Sequence, residues 1–267
     1  MDFDLIKLDR DHPGFRDAGY RARRDAIAQV ALAHAAGEPV PDVEYAEEEH
    51  ATWAEVWALL WPLHRERVCS ALVDVQIALA LPRDRIPQLS EINPTLEGAT
   101  GFSMEPVAGL VSPRIFLERL AERSFLSTQY IRHYSRPLYT PEPDVIHELA
   151  GHAASLTHPG IAALSQRFGE AALRASPPRL QRLINLYWYT LEFGAAEEGG
   201  AVKAYGAGLM SSVGELGRFE AEAELRPWNV DRIAETGFDP TDYQPQVYVA
   251  PSFGRMLSDL AGWLETA

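Results

Sequence analysis

Apolar residues return at helical spacing along most of this chain, and that pattern limits the folds open to it. Between Glu47 and Ala80 they fall at Trp53, Val56, Trp57, Leu60 and Leu63, a spacing that gathers them on one face of a helix. Residues 113–126 repeat the pattern with Phe116, Leu117, Leu120 and Phe125, as do residues 160–174 and 179–193. Alternating or β-branched runs are rare; QPQVYV around Gln246 is the best short strand. The polar, Pro-containing breaks GEPVPD from Gly37, SPPR from Ser176 and TGFDPTDYQP from Thr236 are short. No repeat, low-complexity tract or linker divides the chain. The expected fold is mostly α with minor β structure, as one domain over residues 1–267.

Composition narrows the function classes. A net charge of −14 argues against nucleic acid and anionic lipid as partners, because phosphate binding needs a basic surface. Cys69 is the only cysteine, which rules out an internal disulfide and a cysteine-based metal cluster and fits a reducing cytoplasm. The opening MDFDLIKLDRDHPG has neither the basic nor the apolar region of a signal peptide. No apolar run approaches the ~20 residues that span a membrane. The expectation is a cytoplasmic protein that acts on a small molecule.

The motif that carries chemistry is TPEPDVIHELAGH, Thr140 to His152. Thr140 is a candidate N-cap, with Pro141 and Pro143 in a first turn where a missing N–H costs little. His147 and His152 stand five apart. The zinc-protease pattern sets its two His four apart on one helix face. At ~100° per residue, a five-residue step leaves the second His roughly 140° round the helix from the first. One metal can take both only if the helix ends or distorts between them, and Gly151 is suited to permit that.

A third ligand is offered by Glu192, the only charged residue of the apolar, helix-length segment LINLYWYTLEFG. A carboxylate in such surroundings is costly to bury unless paired or metal-bound. Two His and one carboxylate form the facial triad of non-haem Fe(II) oxygenases. The same set also serves catalytic zinc, which is the competing assignment.

At these residues the chain resembles the pterin-dependent aromatic amino acid hydroxylases, bacterial phenylalanine-hydroxylating members among them. RPLYTPEPDVIHELAGH is similar to the family's run through its first two iron ligands. TGFSMEPVAGLVSPRIFLERLA and STQYIRH match upstream; YWYTLEFG, KAYGAGLMSSVGEL and YQPQVYVAPSF match downstream. DHPGFRDAGYRARR and VEYAEEEHATW look like the entrance to the family's catalytic domain. The resemblance runs from about Asp9 to Phe253.

It implies Fe(II) held by His147, His152 and Glu192, a tetrahydropterin, and O₂ as co-substrate. Arg132 would hold the substrate carboxylate, for which a planar, bidentate donor is suited, and Asp144 would orient it. Tyr139, Thr140, Gly208 and Ser211 would complete the amino acid site, Ser211 also supporting an iron-bound His. Pro143 and Trp188 would wall the aromatic pocket. Phe116 would stack on the pterin, with Gly109, Val111, Glu148 and Tyr187 around it. Phe116, Tyr187 and Trp188 read equally well as core aromatics, Arg132 as a surface cation and Thr140 as a cap alone.

Some positions depart from the family pattern. Leu126 stands where animal members carry a histidine near the pterin. Pro240 stands where tyrosine hydroxylases carry Asp, which favours phenylalanine as substrate. Asp4 falls near the position of the animal enzymes' lid tyrosine. The resemblance includes no regulatory domain and no tetramerisation helix, so a monomer is expected. GAG in KAYGAGLMSS lacks the third glycine of a dinucleotide loop and no strand clearly precedes it, and family members have a loop beside the substrate there. Two other readings stay open: a zinc hydrolase with Glu148 as general base, and a non-catalytic relative that binds an aromatic amino acid or pterin. Within the enzyme reading, tyrosine or tryptophan as substrate and hydroxylation at the meta position also remain.

Overall fold

The computed structural model describes residues 8, 10–35, 37–138, 140, 142–240 and 243–265. Asp4 and Tyr139 lie outside these. Helices dominate, as the apolar spacing requires. The long ones are Ala18–Ala33, Glu47–Arg67, Leu89–Thr100, Pro159–Arg174 and Phe253–Glu265. Among the described residues no helix is long and apolar enough to cross a membrane.

One core joins these helices except Ala18–Ala33, whose Ile27 packs with Val43 and Tyr130 in a second, smaller cluster. Trp53, Val56, Trp57 and Leu60 are fully buried on a single face of Glu47–Arg67, and the Trp53 and Trp57 rings stack 5.9 Å apart. The Trp53 indole N–H donates to the Pro82 carbonyl at 2.9 Å, so this large ring is buried without stranding its polar atom.

Two of the helical stretches end earlier than their apolar spacing suggests. The run from Glu47 to Ala80 is two helices, Glu47–Arg67 and Ser70–Leu79. Between them Val68 bridges Ala204, and the Cys69 N–H donates to the Ala204 carbonyl at 2.9 Å. The run 113–126 is a helix only over Pro113–Leu120. Arg123 takes a left-handed φ of 57°, which stops a helix, and Phe125 then sits on the strand Ser124–Ser127, parallel to Ser103–Pro106.

A four-stranded sheet orders Ala201–Ala204, Ala195–Glu198, Gln246–Ala250 and Glu224–Pro227. Only Gln246–Ala250 was legible as a strand; AAEE, AVKA and ELRP carry little β-branched character. The GAGLMSS segment is no open loop. Ala207–Ser211 forms a short helical turn two residues after the strand Ala201–Ala204, so a strand does precede it, contrary to expectation.

The cap of the motif helix also differs from expectation. The helix starts at residue 145, and Asp144 occupies the capping position: its Oδ1 accepts the His147 N–H at 3.2 Å. Thr140 instead closes a local turn, its hydroxyl donating to the Glu142 carbonyl at 2.7 Å. Asp144 is the better cap because the same carboxylate also pairs with Arg132.

Candidate metal centre and the pocket beside it

The five-residue spacing is resolved by a π turn. His147–Ala153 is π-helical, with the Ala154 N–H reaching the Leu149 carbonyl. A π turn closes i→i+5 bonds, so residues five apart return to one face. His147 and His152 therefore face each other, with Nε2 atoms 3.0 Å apart. The helix neither ends nor breaks at Gly151. That glycine serves close packing: a Cβ there would lie 2.7 Å from the Ala207 carbonyl oxygen and 3.1 Å from the Ala207 Cβ. Gly151→Ala is expected to destabilise the fold by about 1–3 kcal/mol, the usual cost of overpacking, measurable by urea unfolding; an unchanged midpoint would show that the two backbones can separate freely.

The third residue arrives on a second π turn. Trp188–Glu192 is π-helical, and the Phe193 N–H donates to the Trp188 carbonyl at 2.8 Å. Glu192 Oε1 lies 2.9 Å from His152 Nε2, and Oε2 lies 3.6 Å from His147 Nε2. Burial alone would raise the Glu192 carboxyl; the His152 and His147 rings overcome that and hold it below its ordinary range.

Ser211 fixes the tautomer of His147. Its hydroxyl donates to the Gly208 carbonyl at 3.1 Å, so its oxygen accepts from His147 Nδ1 at 2.9 Å. With the proton on Nδ1, the Nε2 lone pair points at the cluster, as metal ligation requires. Burial and the neighbouring His152 ring pull His147 down to about 4, which keeps the imidazole neutral. A neutral imidazole, a second imidazole and a carboxylate converging within 3.6 Å suit a divalent ion of intermediate softness.

Glu148 is a second carboxylate at this place, and its ligand atom also lies within 4.8 Å of those of His147 and His152. Its bonding favours the other role. Oε1 accepts from the Thr128 N–H at 3.1 Å and from the Thr128 hydroxyl at 2.9 Å, and burial raises the carboxyl to about 7. Glu192 is the charged partner of the imidazoles, whereas Glu148 sits on the wall, able to hold or pass a proton.

These groups line a cavity of about 420 Å³. Gly109, Val111, Phe116, Glu148 and Tyr187 line it, as do Arg132, Thr140, Pro143, Trp188, Gly208 and Ser211. Phe116 serves core and cavity together, meeting Phe125 and Tyr187 edge-on at 5.3 and 5.5 Å. Asp144 stands behind the wall, fully buried, where its two oxygens accept from Arg132 Nε and Nη2, each at 2.8 Å. Arg132 is thus a buried, oriented cation and no surface charge. Gly208 is glycine for space, since a Cβ would meet the Phe193 ring at 2.5 Å. Leu126 and Pro240, two of the departures, also line the cavity.

Sequence reasoning missed part of the aromatic wall. Phe238 stacks on Trp188 at 4.1 Å and 6°, and Phe193 lies 4.7 Å from the same indole. The Trp188 N–H donates to Gln244 at 2.8 Å. Phe193, next to Glu192, was open to inference; Phe238 comes from a loop far along the chain and carried no local signal.

Comparison with known proteins gives the family. The model of the biopterin-dependent aromatic amino acid hydroxylase family matches residues 3–267. Human phenylalanine-4-hydroxylase is 44% identical over 252 residues, covering 92% of this chain and 56% of that protein. Mouse tyrosine 3-monooxygenase is 45% identical over 251 residues, covering 92% of this chain and 50% of that one. The chain spans about half the length of the curated relatives it matches. Among solved structures, Chromobacterium violaceum phenylalanine hydroxylase with bound iron(III) and 7,8-dihydrobiopterin aligns with a TM-score of 0.79 at 28% identity, covering 90% of each chain. With two imidazoles and a carboxylate converging in the wall of a cavity lined by aromatic rings, and a family model matched over residues 3–267, the chain belongs to the biopterin-dependent aromatic amino acid hydroxylases.

Proposed function

We propose that this chain is a single catalytic domain that hydroxylates L-phenylalanine at C4 to give L-tyrosine, with Fe(II), a tetrahydropterin and O₂. The observation that carries the reading is the convergence of His147, His152 and Glu192 in the wall of a cavity that Arg132 and stacked aromatic rings also line. His147, His152 and Glu192 would hold the iron. Bound there, iron and pterin would supply the O₂ reduction and oxygen transfer that side chains cannot.

The protein's own work is binding, orientation and exclusion of water. A guanidinium has five N–H groups. Arg132 commits Nε and one N–H of Nη2 to Asp144, and one N–H of Nη1 to the Pro137 carbonyl at 3.3 Å. One N–H on each Nη remains for a substrate carboxylate, which a point charge such as Lys cannot match. Trp188, held by Phe238 and Gln244, gives the substrate ring a flat wall fixed in position. Phe116, with Tyr187 edge-on to it, offers a face for the pterin. Glu148 lies on the same wall, where a carboxyl near neutrality can hold a proton against a pterin nitrogen.

Pro240 supports phenylalanine over tyrosine. It brings no charge to the cavity lining, and its neighbour Asp239 is exposed and does not line the cavity. Product analysis is the test. Protein supplied with Fe(II) and a tetrahydropterin is expected to convert phenylalanine to para-tyrosine. Predominant meta-tyrosine, or a clear kcat/KM preference for tyrosine or tryptophan, would overturn the substrate and position while leaving the iron site intact.

A further inference from the structure

Behind the candidate metal centre, away from the cavity, lie two buried polar side chains that the proposed chemistry does not use. His64, on Glu47–Arg67, is fully buried, and Gln76, on Ser70–Leu79, is 4% exposed. Neither helix contributes a residue to the cavity lining. Their surroundings are apolar, with the Trp57 ring edge-on to His64 at 5.8 Å and Leu60 and Leu72 in the same core. An imidazole and a carboxamide are costly there unless hydrogen-bonded, so where their bonds go is informative.

The bonds go to the two backbone segments that hold His147. His64 Nε2 lies 2.5 Å from the Met210 carbonyl oxygen. A carbonyl only accepts, so Nε2 carries the proton. Met210 precedes Ser211, the hydroxyl partner of His147 Nδ1. Gln76 Nε2 donates to the Ala150 carbonyl at 3.2 Å, which turns Oε1 toward His64 Nδ1 at 2.8 Å; because Oε1 only accepts, this second contact is a hydrogen bond when Nδ1 carries a proton as well as Nε2. Ala150 is inside the π turn, between His147 and His152. Burial draws the imidazole below its ordinary range while both hydrogen bonds oppose that.

We propose that the His64–Gln76 pair is a positioning brace for the metal ligands, tying the π turn His147–Ala153 to the helical turn Ala207–Ser211. This rests on the reading of His147, His152 and Glu192 as the metal site. The two turns already touch backbone to backbone at Gly151 and Ala207. A shift of Met210 therefore moves Ser211, and with it the ring of His147. The brace sets the direction of the His147 lone pair from outside the cavity, with no contact to metal, pterin or substrate.

Cobalt(II) binding to the metal-free protein tests this without turnover. Gln76→Leu should weaken binding, because it strands His64 Nδ1 and the Ala150 carbonyl. The double variant His64→Phe/Gln76→Leu separates fold from position. Only the His64–Gln76 contact loses both partners at once; the Met210 and Ala150 carbonyls still lose their donors, so the double variant's melting temperature should rise above that of Gln76→Leu and stay below wild type. Its cobalt affinity should still be lower by roughly 10-fold or more, the usual cost of losing an outer-shell partner, and its cobalt visible bands should be altered. A stably folded double variant with wild-type affinity and bands would overturn the brace and leave the pair as core filler.

If neither variant folds, nitrogen NMR of histidine-labelled wild-type protein decides. The brace requires His64 Nε2 to be protonated and its resonance to move on zinc(II) loading; a bare Nε2, or a resonance indifferent to metal, overturns it. A wild-type protein that binds no cobalt would overturn the metal reading itself, a distinct result.

Discussion

Glu192→Gln is expected to remove stable Fe(II) binding and hydroxylation together. The change keeps the shape of the side chain and deletes its charge. Both Glu192 oxygens face imidazole nitrogens, at 2.9 and 3.6 Å, so the amide would place a donor or a weak neutral acceptor where a carboxylate is needed. The loss of affinity should exceed the roughly 10–100-fold that follows loss of an outer-shell partner, because the residue is read as a ligand itself. His147→Ala and His152→Ala should act alike. Glu148→Gln is the contrast. Its Oε1 is already occupied by two bonds from Thr128, which an amide oxygen can also accept. Metal retention should survive while the KM for the tetrahydropterin rises. Anaerobic Fe(II) titration of the variants decides between the two carboxylates. Full iron in Glu192→Gln together with loss in Glu148→Gln would exchange their roles.

The same neighbourhood shows what a sequence can and cannot disclose. Glu192 stands out because a carboxylate is costly alone in an apolar stretch; His147 and His152 stand out as a close pair in one motif, and the resemblance joins all three as one set. The spacing of five also disclosed a demand, that the helix could not be regular. How the demand was met was not legible. A π turn is held by contacts from elsewhere in the chain, here the packing of Gly151 on Ala207 and the Gln76 bond to Ala150, and local propensity carries no trace of these. The cap was misplaced for a related reason. Thr140 and Asp144 both have capping side chains, and the choice between them depends on Arg132, twelve residues earlier, which orients Asp144. Short strands such as AAEE are made by their neighbours in the sheet and not by their own composition. Helix interiors fared best: the stretch 160–174 is a helix over Pro159–Arg174.

Removing the Asp144 charge should cost more stability than any change in the cavity wall. Asp144 is fully buried and accepts from Arg132 three times, at the backbone N–H, Nε and Nη2, each at 2.8 Å. It also caps the motif helix through the His147 N–H. Asp144→Asn keeps an acceptor for that cap, but its NH₂ would confront guanidinium donors and leave Arg132 buried without a counter-charge. Breaking a buried pair from one side costs about 3–5 kcal/mol, and that is the expected loss at pH 7. The amino acid KM should rise as well, because Arg132 loses the partner that aims its two remaining N–H groups. The pH dependence gives an independent check. Burial would raise the Asp144 carboxyl, but the Arg132 charge and the hydrogen bonds outweigh it and hold the group below its ordinary range. A carboxyl lowered in the folded state contributes stability above its unfolded pKa, about 4, and loses it as the pH falls through the lower folded value. The gap between wild type and Asp144→Asn should therefore be full at neutral pH and narrow on acidification below about 4. Urea unfolding of both proteins at pH 7 and in acid measures this directly. A gap that stays constant with pH would mean that the loss comes from packing and the cap, and that the Asp144 charge contributes nothing to the fold.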